Sequence, residues 1–282
     1  MPLKPEQFTF VCQMVRTSAA IVLDAGKEYL VESRLIPVAR REGYPSLEAF
    51  LAAAMKSPTG STIHYQIVDA LTTNETLFFR DFHPFEALRT DILPKLIEAK
   101  GTSRRIAIWS AAASTGQEAH SIAMLIREHF PQLNNWDVRI TGTDLSTTTL
   151  DVARSGSYSQ LEVNRGLPAT YLVKYFTKQE GRWQLKDDVR KLAEFKAMNL
   201  IQPWPAMGPF DLVFIRNVLI YFDIATKQQI LKRVKAVLQP GGLMFLGTAE
   251  TTINIDPEWA PMPAGKTTVF RRVNPGEQRR AA

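Results

Sequence analysis

The chain has 282 residues, 45% of them hydrophobic and 22% charged, with a net charge of +6. That is ordinary globular material, long enough for one large domain or two smaller ones. The single cysteine, Cys12, excludes an intramolecular disulfide and a cysteine-based zinc cage, and no RNA-binding signature with interleaved aromatics accompanies the positive charge.

The opening Met1-Pro-Leu-Lys-Pro-Glu6 is not a basic segment followed by an apolar core, so a cytoplasmic location is expected. The strongest apolar run, Leu212 to Phe222, contains Arg216 and Asn217 and is too short to span a bilayer. Residues 1–72 read as an all-helical domain, with Cys12 as a small buried residue on its first helix. Tyr29, Leu30, Leu35, Ile36 and Val38 form an apolar pattern, with Arg34, Arg40 and Arg41 beside it. Those three arginines are either a solvated helix face or a cationic surface for an acidic partner. Gly43-Tyr-Pro-Ser46 stops one helix and starts another, because Ser46 can cap the segment from Leu47 to Met55. Pro58 to Ser61 is a turn, and Ile63 to Leu71 is a further short helix.

Thr72-Thr-Asn-Glu-Thr-Leu-Phe-Phe-Arg-Asp81 follows. Phe78, Phe79 and Phe82 suit a core or a pocket wall. Asn74, Thr76 and Arg80 place polar side chains in one short stretch, as a plain cap with a solvent-facing arginine or as part of a pocket. Residues 73–100 are expected to be a linker that contributes to the pocket.

From residue 101 strand and helix alternate. Strands are predicted near 105–110, 138–143, 194–198, 211–215, 242–247 and 267–272. Helices are predicted near 117–129, 146–154, 167–175 and 225–238. Alternation of this kind predicts a mainly parallel sheet wrapped by helices. The charged stretch from Ser157 to Lys196 reads as a small inserted β-subdomain with a hairpin around Gly181. The tail charges Arg271, Arg272, Arg279 and Arg280 read as a solvated end.

The richest segment is the strand Ile106–Trp109, the turn Ser110–Gly116 and the helix behind it. The turn holds only Ala, Ser, Thr and Gly, so a ligand can approach its backbone closely. A second strand ends at Gly142-Thr-Asp144, and an acid there suits ribose hydroxyls. Glu118, in the first turn of the helix, either stabilises the helix N-terminus or pairs with a cationic ligand group. An acid beside a phosphate site would oppose a dinucleotide, and neither a spaced-glycine fingerprint nor a Walker lysine is present. Adenosine, an ammonium and no phosphate together point to S-adenosylmethionine. Farther on, Arg216, Asn217 and Tyr221 follow a buried strand, where open α/β sheets bind ligands.

Six segments together closely resemble the CheR family, the chemotaxis-receptor methyltransferases: TTNETLFFRD (72–81), WSAAASTGQEAHSIA (109–123), TDLS (143–146), NL (199–200), RNVLIYF (216–222) and PGGLMFLGTAE (240–250). The resemblance implies a Rossmann-like, doubly wound α/β methyltransferase domain over 101–282, with the β-subdomain inserted at about 157–196. It implies transfer of a methyl group from S-adenosylmethionine to glutamates on the cytoplasmic helices of methyl-accepting chemotaxis receptors. By resemblance Glu118 would bind the methionine ammonium, Asp144 the ribose, and Asn199 and Leu200 the adenine. Asn74, Thr76, Arg80, Arg216 and Asn217 would complete the cofactor pocket, with Arg80 and Tyr221 also nearest the transferring methyl. Arg34, Arg40 and Arg41 become the candidate receptor-docking face. The family commonly has Glu-Glu-Pro-Tyr where this chain has Gln117-Glu-Ala-His120; Glu118 survives, and His120 is read as a supporting or solvent residue.

The hairpin Thr177–Trp183 is short and lacks the extra glycine-containing loop of peptide-binding members, so independence from a receptor C-terminal pentapeptide is expected. No metal, nucleic acid or membrane insertion is expected; the product would be S-adenosylhomocysteine, the protein a monomer, with recruitment to receptor arrays. A methyltransferase with another acceptor, and a non-catalytic module binding S-adenosylhomocysteine, are the rival readings.

Overall fold

Apolar residues at helical spacing fold the start of the chain into α1 (Pro5–Ala19), α2 (Glu28–Arg41), α3 (Leu47–Lys56) and α4 (Thr62–Leu71). This is a computed structural model, and it describes residues 3–273; Arg279 and Arg280 lie outside the described residues. The inward stripes supply Val11, Val15, Val31, Leu35, Phe50, Leu51 and Ile67, all fully buried. Each such side chain contributes about 1.5–3 kcal/mol by leaving water. Ser46 caps α3 by accepting from the Ala49 N–H at 3.1 Å. Cys12 is half-buried rather than buried. The first structural unit comprises the chain through Thr73, with Tyr221–Thr226.

The second unit, Asn74–Ile220 with the chain from Lys227, has ten strands among its described residues. They are β1 (Arg105–Ala111), β2 (Asp137–Asp144), β3 (Ser157–Tyr158), β4 (Phe176–Gln179), β5 (Arg182–Leu185), β6 (Ala193–Ala197), β7 (Phe210–Ile215), β8 (Leu238–Leu246), β9 (Trp259–Ala264) and β10 (Thr267–Arg272). Seven form one sheet in the order β6-β2-β1-β7-β8-β10-β9. The first five run parallel, and β10 is antiparallel to both its neighbours. Strand order reverses between β1 and β7, so a crevice opens at their carboxyl ends, the place where such sheets bind ligands.

The helices of this part of the chain are α5 (His83–Ala87), α6 (Leu93–Ala99), α7 (Gln117–His129), α8 (Thr147–Ser155), α9 (Gln160–Asn164), α10 (Ala169–Tyr175), α11 (Asp187–Arg190) and α12 (Ile224–Val237). Residues 83–99, within the expected linker, are helical: α5 and α6 join through a π turn at Leu88–Ile92. Phe85, Leu88, Ile92 and Leu93 are buried there with the sheet residues Ile106 and Ile108 in one core. The insertion forms a three-stranded antiparallel sheet, β3-β5-β4. It ends before β6, which pairs with β2 in the main sheet.

Two glycines let these layers close. Gly116 caps α7 at φ 91°, and a Cβ there would sit 2.8 Å from the Cβ of Ala153 on α8. Gly142 on β2 stands opposite Phe195 on β6, whose ring would lie 2.4 Å from an added Cβ.

Candidate active site

The turn after β1 is held from three sides. Asp144, buried at the end of β2, accepts from the Ser114 N–H at 2.7 Å and the Ser146 N–H at 2.9 Å. The Ser114 hydroxyl donates to the Asn74 carbonyl at 2.7 Å, which ties the 72–81 segment to the turn. The Met198 N–H donates to the Asp144 carbonyl at 2.8 Å, which brings the β6 end, and so Asn199 and Leu200, beside the same acid. Leu200 is buried; its carbonyl accepts from the Trp204 indole and from Arg233, both at 3.0 Å.

Glu118, in the first turn of α7, binds groups from two other parts of the chain. Its Oε1 accepts from the Ser110 hydroxyl at 2.8 Å, and its Oε2 from Arg216 Nη1 at 2.9 Å. The Arg216 side chain is 1% exposed. Its Nη2 donates to the Arg80 carbonyl at 2.9 Å and to Asp81 Oδ2 at 2.7 Å, and its guanidinium lies 5.6 Å from the Phe85 ring centre. One buried cation therefore ties together Glu118, the strand β7 it follows, and the segment that carries Arg80. Removing one member of such a pair leaves a buried charge uncompensated, at a cost of about 3–5 kcal/mol.

That segment is strained. Phe79, Asp81 and Phe82 hold φ of 49°, 69° and 49°, a region that costs a side-chain-bearing residue about 1–3 kcal/mol unless its surroundings enforce it. The enforcement is visible: Arg216 grips Arg80 and Asp81, and the Phe79 N–H donates to the Ser121 hydroxyl on α7 at 2.9 Å. The half-buried Arg80 side chain donates from Nη1 to the Glu75 carbonyl at 3.0 Å. Thr76 is half-buried on the same segment.

Asn217 follows Arg216 at φ 57°. Its N–H donates to Glu250 Oε2 at 2.7 Å. Tyr221 ends the single 3₁₀ turn Leu219–Tyr221 that the β7 end runs into. Asn74, Arg80, Glu118, Asp144, Asn199, Leu200, Arg216 and Asn217 are thus linked at the carboxyl ends of β1, β2, β6 and β7. Sequence reasoning gave no role to Asp81 or Glu250. Both lie in motifs quoted above, but an acid at the edge of a motif carries no signal of which backbone groups it will meet.

His120 is fully buried, not solvent-facing. Its Nε2 donates to the Ala153 carbonyl at 3.0 Å, its Nδ1 has no partner, and its ring packs on Phe195. Burial pushes its pKa down to about 4, outweighing the carbonyl contact that favours the charged form. In the first unit, Arg34 donates to the Leu71 carbonyl at 3.1 Å and the Thr72 carbonyl at 2.7 Å, closing the end of α4. Arg40 and Arg41 are exposed, and Arg41 Nε donates to Glu42 at 2.9 Å. Of the three arginines expected on a docking face, Arg34 is engaged within its own unit, and Arg40 and Arg41 are exposed. Among the described residues no cluster of three metal-ligating side chains occurs, and no helix is long and apolar enough to cross a membrane.

The donors and acceptors suit S-adenosylmethionine. A carboxylate in the first turn of α7 repels phosphate and attracts an ammonium; a second acid ends β2, as a ribose requires; and Arg216 Nε is a buried donor without a partner, the kind of atom a bound carboxylate satisfies. Fold and site together define an S-adenosylmethionine-dependent methyltransferase. The CheR methyltransferase SAM binding domain matches residues 74–267, and the CheR methyltransferase all-alpha domain matches residues 6–72. The chain belongs to the CheR methyltransferase family. It is 41% identical over 259 residues to chemotaxis protein methyltransferase 1 of Pseudomonas aeruginosa, covering 90% of this chain and 93% of that protein. It is 42% identical over 238 residues to chemotaxis protein methyltransferase Cher2 of Pseudomonas putida, covering 83% and 86%. A similar solved structure is the glycopeptide N-methyltransferase MtfA complexed with S-adenosylmethionine, at 17% identity and a TM-score of 0.34, covering 73% of this chain and 72% of that one.

Proposed function

We propose that this methyltransferase forms methyl esters on glutamate side chains of the cytoplasmic helices of chemotaxis receptors, without requiring a receptor C-terminal pentapeptide. The observation that carries the acceptor class is the chemistry around Arg80: a half-buried arginine on a segment whose neighbours Phe79, Asp81 and Phe82 are held at positive φ. A glutamate has an ordinary pKa near 4.3. It arrives as a carboxylate, so the site needs a cation to orient it and no base to activate it.

S-adenosylmethionine, when bound, would supply an electrophilic methyl group, the S–CH3 bond breaking to leave a neutral thioether as a carboxylate oxygen bonds to the carbon. Glu118 holds the ammonium, Asp144 the ribose, and Asn199 with Leu200 borders the adenine. Asn74, Thr76, Arg216 and Asn217 complete the pocket. Arg80 would hold and orient the incoming carboxylate, and the Tyr221 hydroxyl is the second candidate for that task. Alignment of this kind supplies roughly 7–11 kcal/mol in favourable cases. Arg40 and Arg41 face the acidic receptor bundle.

Pentapeptide independence is supported by the two-residue connection between β4 and β5, with Gly181 at φ 80°. Two measurements test the proposal. Methyl groups transferred to receptor-rich membranes should be released by mild base, as esters are; base-stable methylation would contradict it. Calorimetry with receptor C-terminal pentapeptides should show no binding in the micromolar range, and micromolar affinity would overturn the peptide-independent part.

A further inference from the structure

The motif Gly247-Thr-Ala-Glu250 directly follows the end of β8 at Leu246. Its acid is placed unusually. Glu250 Oε2 accepts from the Asn217 N–H and the Gly247 N–H, each at 2.7 Å. Its Oε1 accepts from the Val218 N–H at 2.9 Å and the Ile220 N–H at 3.3 Å. Four backbone donors converge on one carboxylate, and three belong to the turn that follows Arg216. Asn217 holds φ 57° there, a conformation that carries a cost for a residue with a side chain. Gly247 makes the approach possible: an added Cβ would lie 2.7 Å from Glu250 Oε2 and 2.8 Å from both the Asn217 N and its Nδ2.

We infer that Glu250 is a positioning residue for the cofactor pocket, acting through the backbone of 217–220. This rests on the placement of Asn217 and Arg216 in that pocket. The carboxylate satisfies N–H groups that have no strand partner once β7 ends, and it fixes Asn217 in its left-handed conformation. The same turn continues covalently into Tyr221. The chemistry demands an acid of this length. A glutamine would turn an NH₂ toward one pair of N–H donors, where only an acceptor fits, and an aspartate is one methylene short of the turn.

The test compares Glu250→Gln with the wild type at a temperature where circular dichroism shows both folded. Calorimetric affinity for S-adenosylhomocysteine should weaken at least tenfold. Hydrogen exchange should accelerate selectively at the amides of 217, 218, 220 and 247. Both readouts are independent of the methyl acceptor, so they stand or fall separately from the receptor assignment. A folded Glu250→Gln with wild-type affinity and wild-type protection at those amides would overturn the proposal. If that variant does not fold, Glu250→Asp, which keeps the charge but falls one methylene short of the turn, decides: weakened affinity supports the role, and unchanged affinity refutes it.

Discussion

Arg80 and His120 answer different questions at the scale of single residues. Arg80 touches the pocket-forming segment through its carbonyl, which Arg216 holds whatever the side chain is. Arg80→Ala therefore leaves the backbone grip intact and removes the cation that orients the acceptor. Turnover should fall by about 10²–10³-fold, the scale of losing one aligned electrostatic group, while calorimetric affinity for S-adenosylhomocysteine changes little. Unimpaired methyl transfer would remove Arg80 from the mechanism. His120 governs stability instead. Its ordinary pKa of 6.5 drops to about 4 on burial, so between those values the unfolded chain binds the extra proton. Its penalty is absent above pH 6.5 and grows as pH falls, reaching about 3 kcal/mol near pH 4. Urea unfolding at pH 7.5 and pH 5 should show His120→Phe losing less stability on acidification than the wild type. Equal losses would contradict the assignment.

Among the elements, α2 carries one engaged arginine, Arg34, and two exposed ones, Arg40 and Arg41. Arg34 closes α4 through the carbonyls of Leu71 and Thr72, so Arg34→Ala should cost stability, about 1 kcal/mol for part-buried acceptors that lose their donor. The exposed pair behaves otherwise. Arg40→Ala with Arg41→Ala should leave stability and cofactor affinity near wild type and raise the KM for receptor several-fold at low ionic strength, with less effect in high salt. A receptor KM insensitive to both changes would leave α2 without a docking role. The same scale shows what the sequence could reveal. The helix α7 was readable to the residue, because its apolar spacing begins after the small-residue turn and Gly116. The edge strand β9 was not. Pro261 and Pro263 argue against a strand, yet β9 pairs antiparallel with β10 on one side alone, where a missing N–H can be tolerated. The helices α5 and α6 hid for another reason: Pro84, Pro94 and the π turn between them interrupt the 3.6-residue rhythm.

For the whole molecule, the cofactor was more legible than the machinery that holds its pocket. Glu118 and Asp144 stand at fixed offsets from strands and a turn, and their chemistry follows from that placement. Asp81 and Glu250 act by meeting groups distant in sequence, Arg216 in one case and the 217–220 backbone in the other, and no local pattern announces such meetings. The acceptor is a property of the chain and its partner together. The most direct test is mass spectrometric mapping of purified chemotaxis receptors after incubation with this protein and S-adenosylmethionine. The account predicts methyl groups on glutamate side chains of the receptors' cytoplasmic helices, absent when Arg80→Ala replaces the wild type. Methylation confined to nitrogen-bearing side chains, or receptors left unmodified by a protein that binds the cofactor, would contradict it.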